Sequence, residues 1–590
     1  MTIAANNTAV AGRPPEVVMN LERLGSLSPS RLSFARTLLR HMREEQWSVE
    51  RVEFNLDAHG HGETIYRITT PTRHYHVVIF AQALDDELRS DRVIAEAWDV
   101  TFCLIEGDVT DELRRSMALN VPLQEAGRQH PNLLVISRAN KSVRNFDHFI
   151  DALSSGNQPD VNYLKRAGYI YRTTAVYGNG KFGIADYGRI KSNPDFGRPF
   201  SAQMAAVYVL RQFSIDQAEH IAHRRAPDTA VNLDKSIKRY LGIGNSTGLG
   251  MAPFLILHPQ LIDRWVQQRE QALALALSES PTETSIRQLS LSLKRARQYF
   301  EETWIENAGQ AARNKTVVSE LDDCLTFLEA SGQTCSDWGE LTSYLANHAS
   351  LEAQELINGL LIDLHPSSTM GLEDAMSVDE QMILVPEMSL DDLTSLLETR
   401  YAWALSEDYE SPQAQHWFWY KSAEKEEPRL GRRGVDSGLE KELPLAIGPS
   451  LKRLHESLVQ FAVSNPSSTV IDFLLEHPAL MATVRRAQTM ADTNYGEIRS
   501  NLWAESMKPM HLLRAKLSFL GANRFDPKGD LWVRVTFFQG SPLIEDLRQD
   551  MAQDPSQDTS QRSTEGRDSS WTDDWSFALA PKQTPRESLG

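Results

Sequence analysis

Glycines, hydroxyl residues and an amide are concentrated in one short segment near the middle of this 590-residue chain. The segment reads GIGNSTGLGMAPF, residues 242–254, and Lys235, Lys238 and Arg239 precede it. Glycine allows a ligand to approach the backbone closely, and a helix that begins after such a loop presents free N–H groups to an anion. We therefore expect an anion, such as a phosphorylated compound, to bind here. The residues expected to contact it are Gly244, Asn245, Ser246, Thr247, Gly248 and Gly250.

The segment 242–254 nevertheless lacks the defining residues of both well-known phosphate-binding loops. The P-loop ends in Gly-Lys-Ser/Thr, and no lysine follows these glycines. The dinucleotide-binding pattern requires a preceding strand, whereas the upstream VNLDKSIKRYLG indicates a helix. A connector between two helices with a glycine cap is therefore the alternative, although such a cap needs only one glycine.

A second segment, YRTTAVYGNGKFGIADYGR at 171–189, surrounds an Asn-Gly pair with polar and charged residues. Asn-Gly between apolar residues favours a β-hairpin turn, which is one interpretation. The other is a binding loop that contacts the same anion through charge-assisted hydrogen bonds across a shared cleft. The residues predicted for that contact are Arg172, Thr173, Thr174 and Asn179.

An acid–base pair is expected among Lys181, Asp186 and Glu426, because a lysine in a glycine-lined pocket can have a lowered pKa. Glu426 follows the aromatic and basic cluster at 410–433. That cluster indicates either a stacking surface for a base or planar ligand, or ordinary core packing. The cofactor is not identified by any of these patterns.

Two further groups of residues have a competing structural interpretation. The basic segment RANKSVRNFDHF, 138–149, is either a rim of the cleft or, as we prefer, a helix start capped by Asn140 or Ser142. His74 and His76 are two residues apart and would share one face of a strand. No carboxylate is placed convincingly beside them, so the sequence predicts no metal site.

The elements that position these residues indicate an α+β, mostly helical protein of several domains. Runs rich in β-branched and aromatic residues within 17–140 predict an antiparallel β-meander that follows an amphipathic helix. Residues 141–300 form a mostly helical domain that contains both glycine segments, and 301–390 continue as helices. Residues 391–540 are helical and end in a β-pair, KLSFLG with DLWVRVTFF. Low apolar content predicts a disordered arm at 1–16 and a disordered acidic tail at 541–590.

Composition narrows the classes of function. A net charge of −18 disfavours nucleic acid as the main partner, because phosphate neutralisation by Lys and Arg supplies most non-specific affinity. Three cysteines form no disulfide framework, and no apolar run is long enough for a membrane span, which together favour a soluble cytoplasmic protein. We expect an enzyme of small-molecule metabolism with an anionic substrate or cofactor. A non-catalytic helical scaffold is the alternative, and a nucleic-acid processing or defence factor is the third hypothesis.

Overall fold

A nine-stranded sheet organises the part of the chain that the computed structural model describes. The described residues are 12–85, 97–119, 130–143, 145–176, 190–248, 258–330, 337–372, 382–409, 447–499, 510–522, 524–527, 532–549 and 575–582. The strands are β1 (Ser48–Leu56), β2 (Gly62–Thr69), β3 (His74–Ala81), β4 (Val100–Glu106), β5 (Leu133–Lys141), β6 (Tyr169–Thr173), β7 (Gly242–Gly248), β8 (Arg524–Pro527) and β9 (Trp532–Phe537). Their spatial order is β1-β2-β3-β4-β5-β6-β7-β9-β8.

The antiparallel meander predicted within 17–140 is confirmed as β1 to β4, and β5 and β6 continue it to six strands. Each pairs with the next along the chain, and only β6 and β7 are parallel. Val, Ile, Phe and Tyr suit these strands because branched and aromatic side chains pack well on a pleated surface. β3 and β4 are the most completely buried, and both faces of this part of the sheet are covered.

The helices lie around this sheet and in two further helical clusters. They are α1 (Pro15–Val18), α2 (Leu21–Leu24), α3 (Phe34–Glu44), α4 (Asp111–Ala118), α5 (Phe146–Ser154), α6 (Val161–Ala167), α7 (Ser201–Arg225), α8 (Lys235–Tyr240), α9 (Pro259–Ser278), α10 (Glu283–Glu302), α11 (Ala308–Ala330), α12 (Trp338–His348), α13 (Leu351–Leu364), α14 (Leu390–Arg400), α15 (Ala402–Leu405), α16 (Ile447–Ser464), α17 (Val470–Glu476), α18 (Met481–Thr489), α19 (Met510–Leu520) and α20 (Ile544–Gln549). A short 3₁₀ helix, Pro478–Leu480, precedes α18. The architecture is therefore α+β and mostly helical, as predicted.

α7 is the central helix and packs against β4 to β7. Its apolar side chains belong to the main core with those of the sheet. Arg211 on this helix is 2% exposed, and its guanidinium donates to the carbonyls of Leu241, Lys238 and Arg239. Burying a charge is costly unless its donors are satisfied, so these bonds fix the chain that enters β7 against the helix.

The chain ends contribute to the folded core, contrary to the predicted disorder. Arg13, in the expected N-terminal arm, forms ion pairs with Glu270 of α9 and Glu355 of α13. Arg23 and Arg269 also contact Glu355, which is 0% exposed. A buried charge is costly unless an opposite charge is paired with it. The ion pairs among these five residues therefore hold the N-terminal segment against α9 and α13. Residues 1–11 lie outside the described part.

The C-terminal prediction was wrong at two places. KLSFLG lies at the end of α19, and the β-pair is instead formed by β8 and β9. β9 also pairs with β7, so this hairpin extends the N-terminal sheet. Residues 575–582, in the expected disordered tail, are docked: Trp575 is 1% exposed and stacks on Phe538. Trp575 and Phe577 each belong to a hydrophobic core cluster, so their burial holds this segment in place although the tail as a whole is polar.

Candidate functional site

The glycine-rich segment begins as a β-strand, so the prediction of a loop at 242–248 was wrong. β7 spans Gly242–Gly248 and lies between β6 and β9. β9 pairs with it from Ile243 to Gly248, and β6 pairs with its first half. The backbone is therefore paired on both sides at the start of β7 and on the β9 side from Asn245 to Gly248, which differs from the open loop of donors expected for an anion. The predicted helix start at 253 lies outside the described residues.

The first glycines of β7 are explained by packing. A Cβ at Gly242 would lie 2.3 Å from the Phe537 carbonyl oxygen, and one at Gly244 would lie 2.6 Å from the ring of Tyr169. Any larger residue would push the neighbouring strand or ring away, so glycine is needed for this close approach. At Gly244 the space expected for a ligand is filled by Tyr169.

The structure does bring the two predicted segments together, as neighbouring parallel strands. Arg172 of β6 is in register with Gly244 of β7. Alternation of side chains then separates the predicted residues between the two faces of the sheet. Thr173 lies opposite Ala139, and Asn245 is on the same face as Ile243. Ala139 and Ile243 belong to the core formed with α7, so Thr173 and Asn245 lie on the α7 face of the sheet.

The residues on the α7 face differ in their hydrogen bonding. Thr173 Oγ1 donates to the Arg138 carbonyl at 3.0 Å and accepts from the Ala175 amide at 3.1 Å, so it has a structural role. Asn245 is 1% exposed, and within the described structure neither amide atom of its side chain has a hydrogen-bond partner.

Ser246, Thr247 and Gly248 pair through their backbones with Arg534, Val533 and Trp532.

The opposite face carries the polar cluster that we call the polar face, defined as Thr101, Arg138, Asn140, Arg172 and Thr174. Thr101 is opposite Arg138 across β4 and β5, and Asn140 is opposite Arg172 across β5 and β6. Thr174 follows β6, and its amide donates to the Arg138 carbonyl at 3.3 Å. Residues opposite each other in a ladder share a face, so the sheet brings two arginines and two hydroxyls to one surface.

Arg138 has the most unusual environment of these five. Its guanidinium carbon lies 3.7 Å from the centroid of the Trp98 ring. Its Nε is buried, and no carboxylate among the described residues forms an ion pair with it. Burial alone lowers the pKa of Arg138 to about 10. A half-buried cation that lacks a counter-charge has lost part of its hydration without compensation, and it is therefore suited to an incoming anion.

Two neighbouring hydroxyls reinforce this character. Thr101 Oγ1 and Thr174 Oγ1 are both buried, and neither has a hydrogen-bond partner in the described structure. The residues Arg138, Arg172 and Thr174 are only partly buried, so solvent reaches the surface at this point. Donors without partners beside an uncompensated cation can bind a phosphate or carboxylate directly.

The preferred interpretation of the basic segment 138–149, a helix start capped by Asn140 or Ser142, was wrong. Arg138, Asn140 and Lys141 lie in β5, and the helix α5 begins only at Phe146. Asn140 does not cap a helix, since its side chain accepts from the Asp99 amide at 2.9 Å. The basic residues were visible in the sequence, but their strand partners β4 and β6 come from separate parts of the chain.

Several predicted residues lie outside the described part of the chain. They are Asn179, Lys181, Asp186, Gly250 and Glu426. The aromatic cluster at 410–433 also lies there. Their predicted roles in binding and acid–base chemistry are therefore unchanged predictions.

A cavity of about 900 Å³ lies away from the polar face, between α6, α10 and α11. It contains none of the residues predicted for binding or catalysis. Lys165 and Arg166 line it together with Asp160, Glu301 and Glu302. Charges of both signs give this cavity no preference for an anion over a cation.

Comparison of the chain with protein-family models, with curated proteins and with solved structures finds no match. Among the described helices, none is both long and apolar enough to cross a membrane.

Proposed function

We propose that the protein is an enzyme of small-molecule metabolism whose substrate or cofactor carries a phosphate or carboxylate group, bound on the polar face. Arg138 and Arg172 supply positive charge, and Thr174 and Thr101 supply hydroxyl donors. The observation that carries this proposal is the half-buried guanidinium of Arg138, which stacks on Trp98 and has no ion-pair partner among the described residues. A cytoplasmic location agrees with free, buried thiols at Cys103 and Cys324.

The energetics favour a ligand over a purely structural role. An arginine with a structural role stabilises the folded state through ion pairs or through hydrogen bonds to backbone carbonyls, as Arg211 does. The Arg138 guanidinium instead loses hydration, and burial is the cause of its lowered pKa. A planar guanidinium held by an aromatic ring matches the geometry of phosphate and carboxylate groups, and its donors are pre-oriented.

The catalytic step is assigned to an acid–base pair among Lys181, Asp186 and Glu426, as the sequence predicts. The first two of these residues follow β6 in the sequence. Once a ligand is identified, Lys181→Ala should reduce turnover of that ligand without abolishing its binding. Binding without turnover in the unaltered protein would leave the anion site in place and refute the enzymatic part.

Thermal-shift measurements on the full chain test the site directly. The probes are inorganic phosphate, sugar phosphates, nucleotides, coenzyme A and small carboxylates, each at increasing concentration. We expect at least one to raise the melting temperature in proportion to the logarithm of its concentration. Arg138→Met should abolish that increase, because a charge-assisted bidentate contact is lost.

The stability of the ligand-free variant separates binding from structure. Arg138→Met removes a half-buried charge that has no ion-pair partner among the described residues, so the ligand-free protein should keep or raise its melting temperature. Arg225→Ala is the matched control, because Arg225 is the last residue of α7, is 50% exposed and pairs with Asp151 of α5. It should leave ligand stabilisation unchanged. A large loss of stability in Arg138→Met, with no anion response in either protein, would contradict the proposal.

A further inference from the structure

A second cluster on the sheet combines two imidazoles and a carboxylate. His74 and His76 lie on one face of β3, and Asp108 follows the end of β4. One potential ligand atom from each of the three residues lies within 4.8 Å of the others. The sequence placed no carboxylate here, because β3 and Asp108 are separated by another part of the chain.

The turn after β4 builds this cluster. Gly107 has a φ of +76°, a left-handed conformation that glycine adopts without strain. Its amide donates to the His74 carbonyl at 2.9 Å, which holds the turn against β3. Asp108 therefore lies beside His74, with 3.0 Å between Asp108 Oδ1 and His74 Nε2.

The same turn orients His76. The Gly107 carbonyl lies 2.7 Å from His76 Nδ1 and can only accept, so Nδ1 carries the proton. Nε2 therefore has a free electron pair in the neutral ring, and the Arg67 Nε–H donates to it at 3.2 Å. A backbone carbonyl that fixes the tautomer in this way is the usual second contact of a metal-bound histidine.

We propose that His74, His76 and Asp108 bind a divalent transition-metal ion, with Zn²⁺ as the best match. Two imidazole nitrogens and one carboxylate oxygen are ligands that Zn²⁺ accepts, and a water completes the tetrahedron. The His74 and Asp108 side chains are 43% and 84% exposed, so both can rotate to close the longer separations. Arg67 is exposed and can turn away as the ion enters.

This site is separate from the polar face. Along β3, Phe80 is at the level of Arg138, and Val78 lies between Phe80 and His76. Val78 and Phe80 belong to an apolar cluster with Cys103. Four residues of a strand span roughly 14 Å. The ion would therefore not touch the proposed anion, and the two proposals can fail independently.

Metal binding to the full chain tests the inference. After treatment with a chelator and dialysis, titration calorimetry with ZnCl₂ should give one equivalent bound. His74→Ala and Asp108→Ala should each weaken binding by at least about tenfold. Co²⁺ in place of Zn²⁺ should give visible absorption bands of a tetrahedral site, which His74→Ala should remove.

Two variants sharpen this test. Arg67→Met should strengthen Zn²⁺ binding several-fold, because it removes a competing donor and a nearby cation from His76 Nε2. His61→Ala is the matched control: His61 lies 3.8 Å from the Asp57 carboxylate, but this pair belongs to no three-residue cluster among the described residues. It should not change the stoichiometry. Absence of Zn²⁺ binding, or binding that His74→Ala leaves unchanged, would overturn the proposal.

Discussion

Replacement of Trp575 by alanine should undock the C-terminal segment 575–582 from the main core. Trp575 is 1% exposed and stacks on Phe538, with 6.2 Å between the ring centroids. The backbone approaches closely here, since a Cβ at Gly540 would lie 3.2 Å from the Trp575 carbonyl oxygen. Two arginines also hold the segment, through the Ser576 hydroxyl and the Phe577 carbonyl.

The size of the effect follows from the buried area. A tryptophan buries about 150–250 Å², which corresponds to about 4–6 kcal/mol at about 25 cal/mol per Å². That area refers to an extended unfolded chain and is an upper bound, so about 3–5 kcal/mol is expected. The loss of global stability cannot exceed the docking free energy of the segment, because the segment can open by itself.

Urea unfolding and amide hydrogen exchange measure the two parts of this effect. Trp575→Ala should lower the free energy of unfolding by several kcal/mol and remove exchange protection within 575–582. Trp304→Ala is the matched control, because Trp304 is 41% exposed: it should cost less stability than Trp575→Ala and should leave exchange protection within 575–582 unchanged. Equal effects of the two substitutions, with 575–582 unprotected in the unaltered protein, would refute the docking.

Two further predictions concern buried charge. Glu355→Gln should lower the free energy of unfolding in urea by about 3–5 kcal/mol. The three arginines that contact Glu355 would be left with Glu270 as the one buried carboxylate of the cluster. A change below about 1 kcal/mol would contradict this prediction. Burial, with Arg514 and Arg313 nearby, lowers the pKa of His511 to about 4. Stability should therefore fall by up to about 3 kcal/mol between pH 6.5 and pH 4 as the unfolded state gains the proton, and His511→Gln should reduce this pH dependence.

The strands and helices with strong local patterns could be predicted from the sequence, and β7 could not. The runs in β1 to β4 are rich in residues that favour strands. In contrast, GIGNSTG contains three glycines and an asparagine, which are depleted in strands. Its extended conformation is imposed by β6 and β9 on either side. β9 lies almost three hundred residues later in the chain, beyond the reach of any local window.

The sequence identified only some residues of the candidate site, because contacts between distant parts of the chain cannot be predicted from local patterns. Arg172 and Thr174 were selected because basic and hydroxyl residues surround a turn, and they do lie on the polar face. Arg138 was visible as a basic residue, but its importance depends on Trp98 and on the absence of an ion-pair partner in the described structure. Neither property is encoded by residues close to it in the sequence.

The sequence alone determined the α+β class, the antiparallel meander and most long helices, because hydrophobic periodicity and turn residues act between near neighbours. Tertiary structure decided which strands flank the GIGNSTG segment and which face of the sheet each polar residue occupies. It also decided that Trp575 is buried and that Asp108 lies beside His74. These outcomes depend on contacts between distant parts of the chain, whose favourable burial and pairing outweigh local preference.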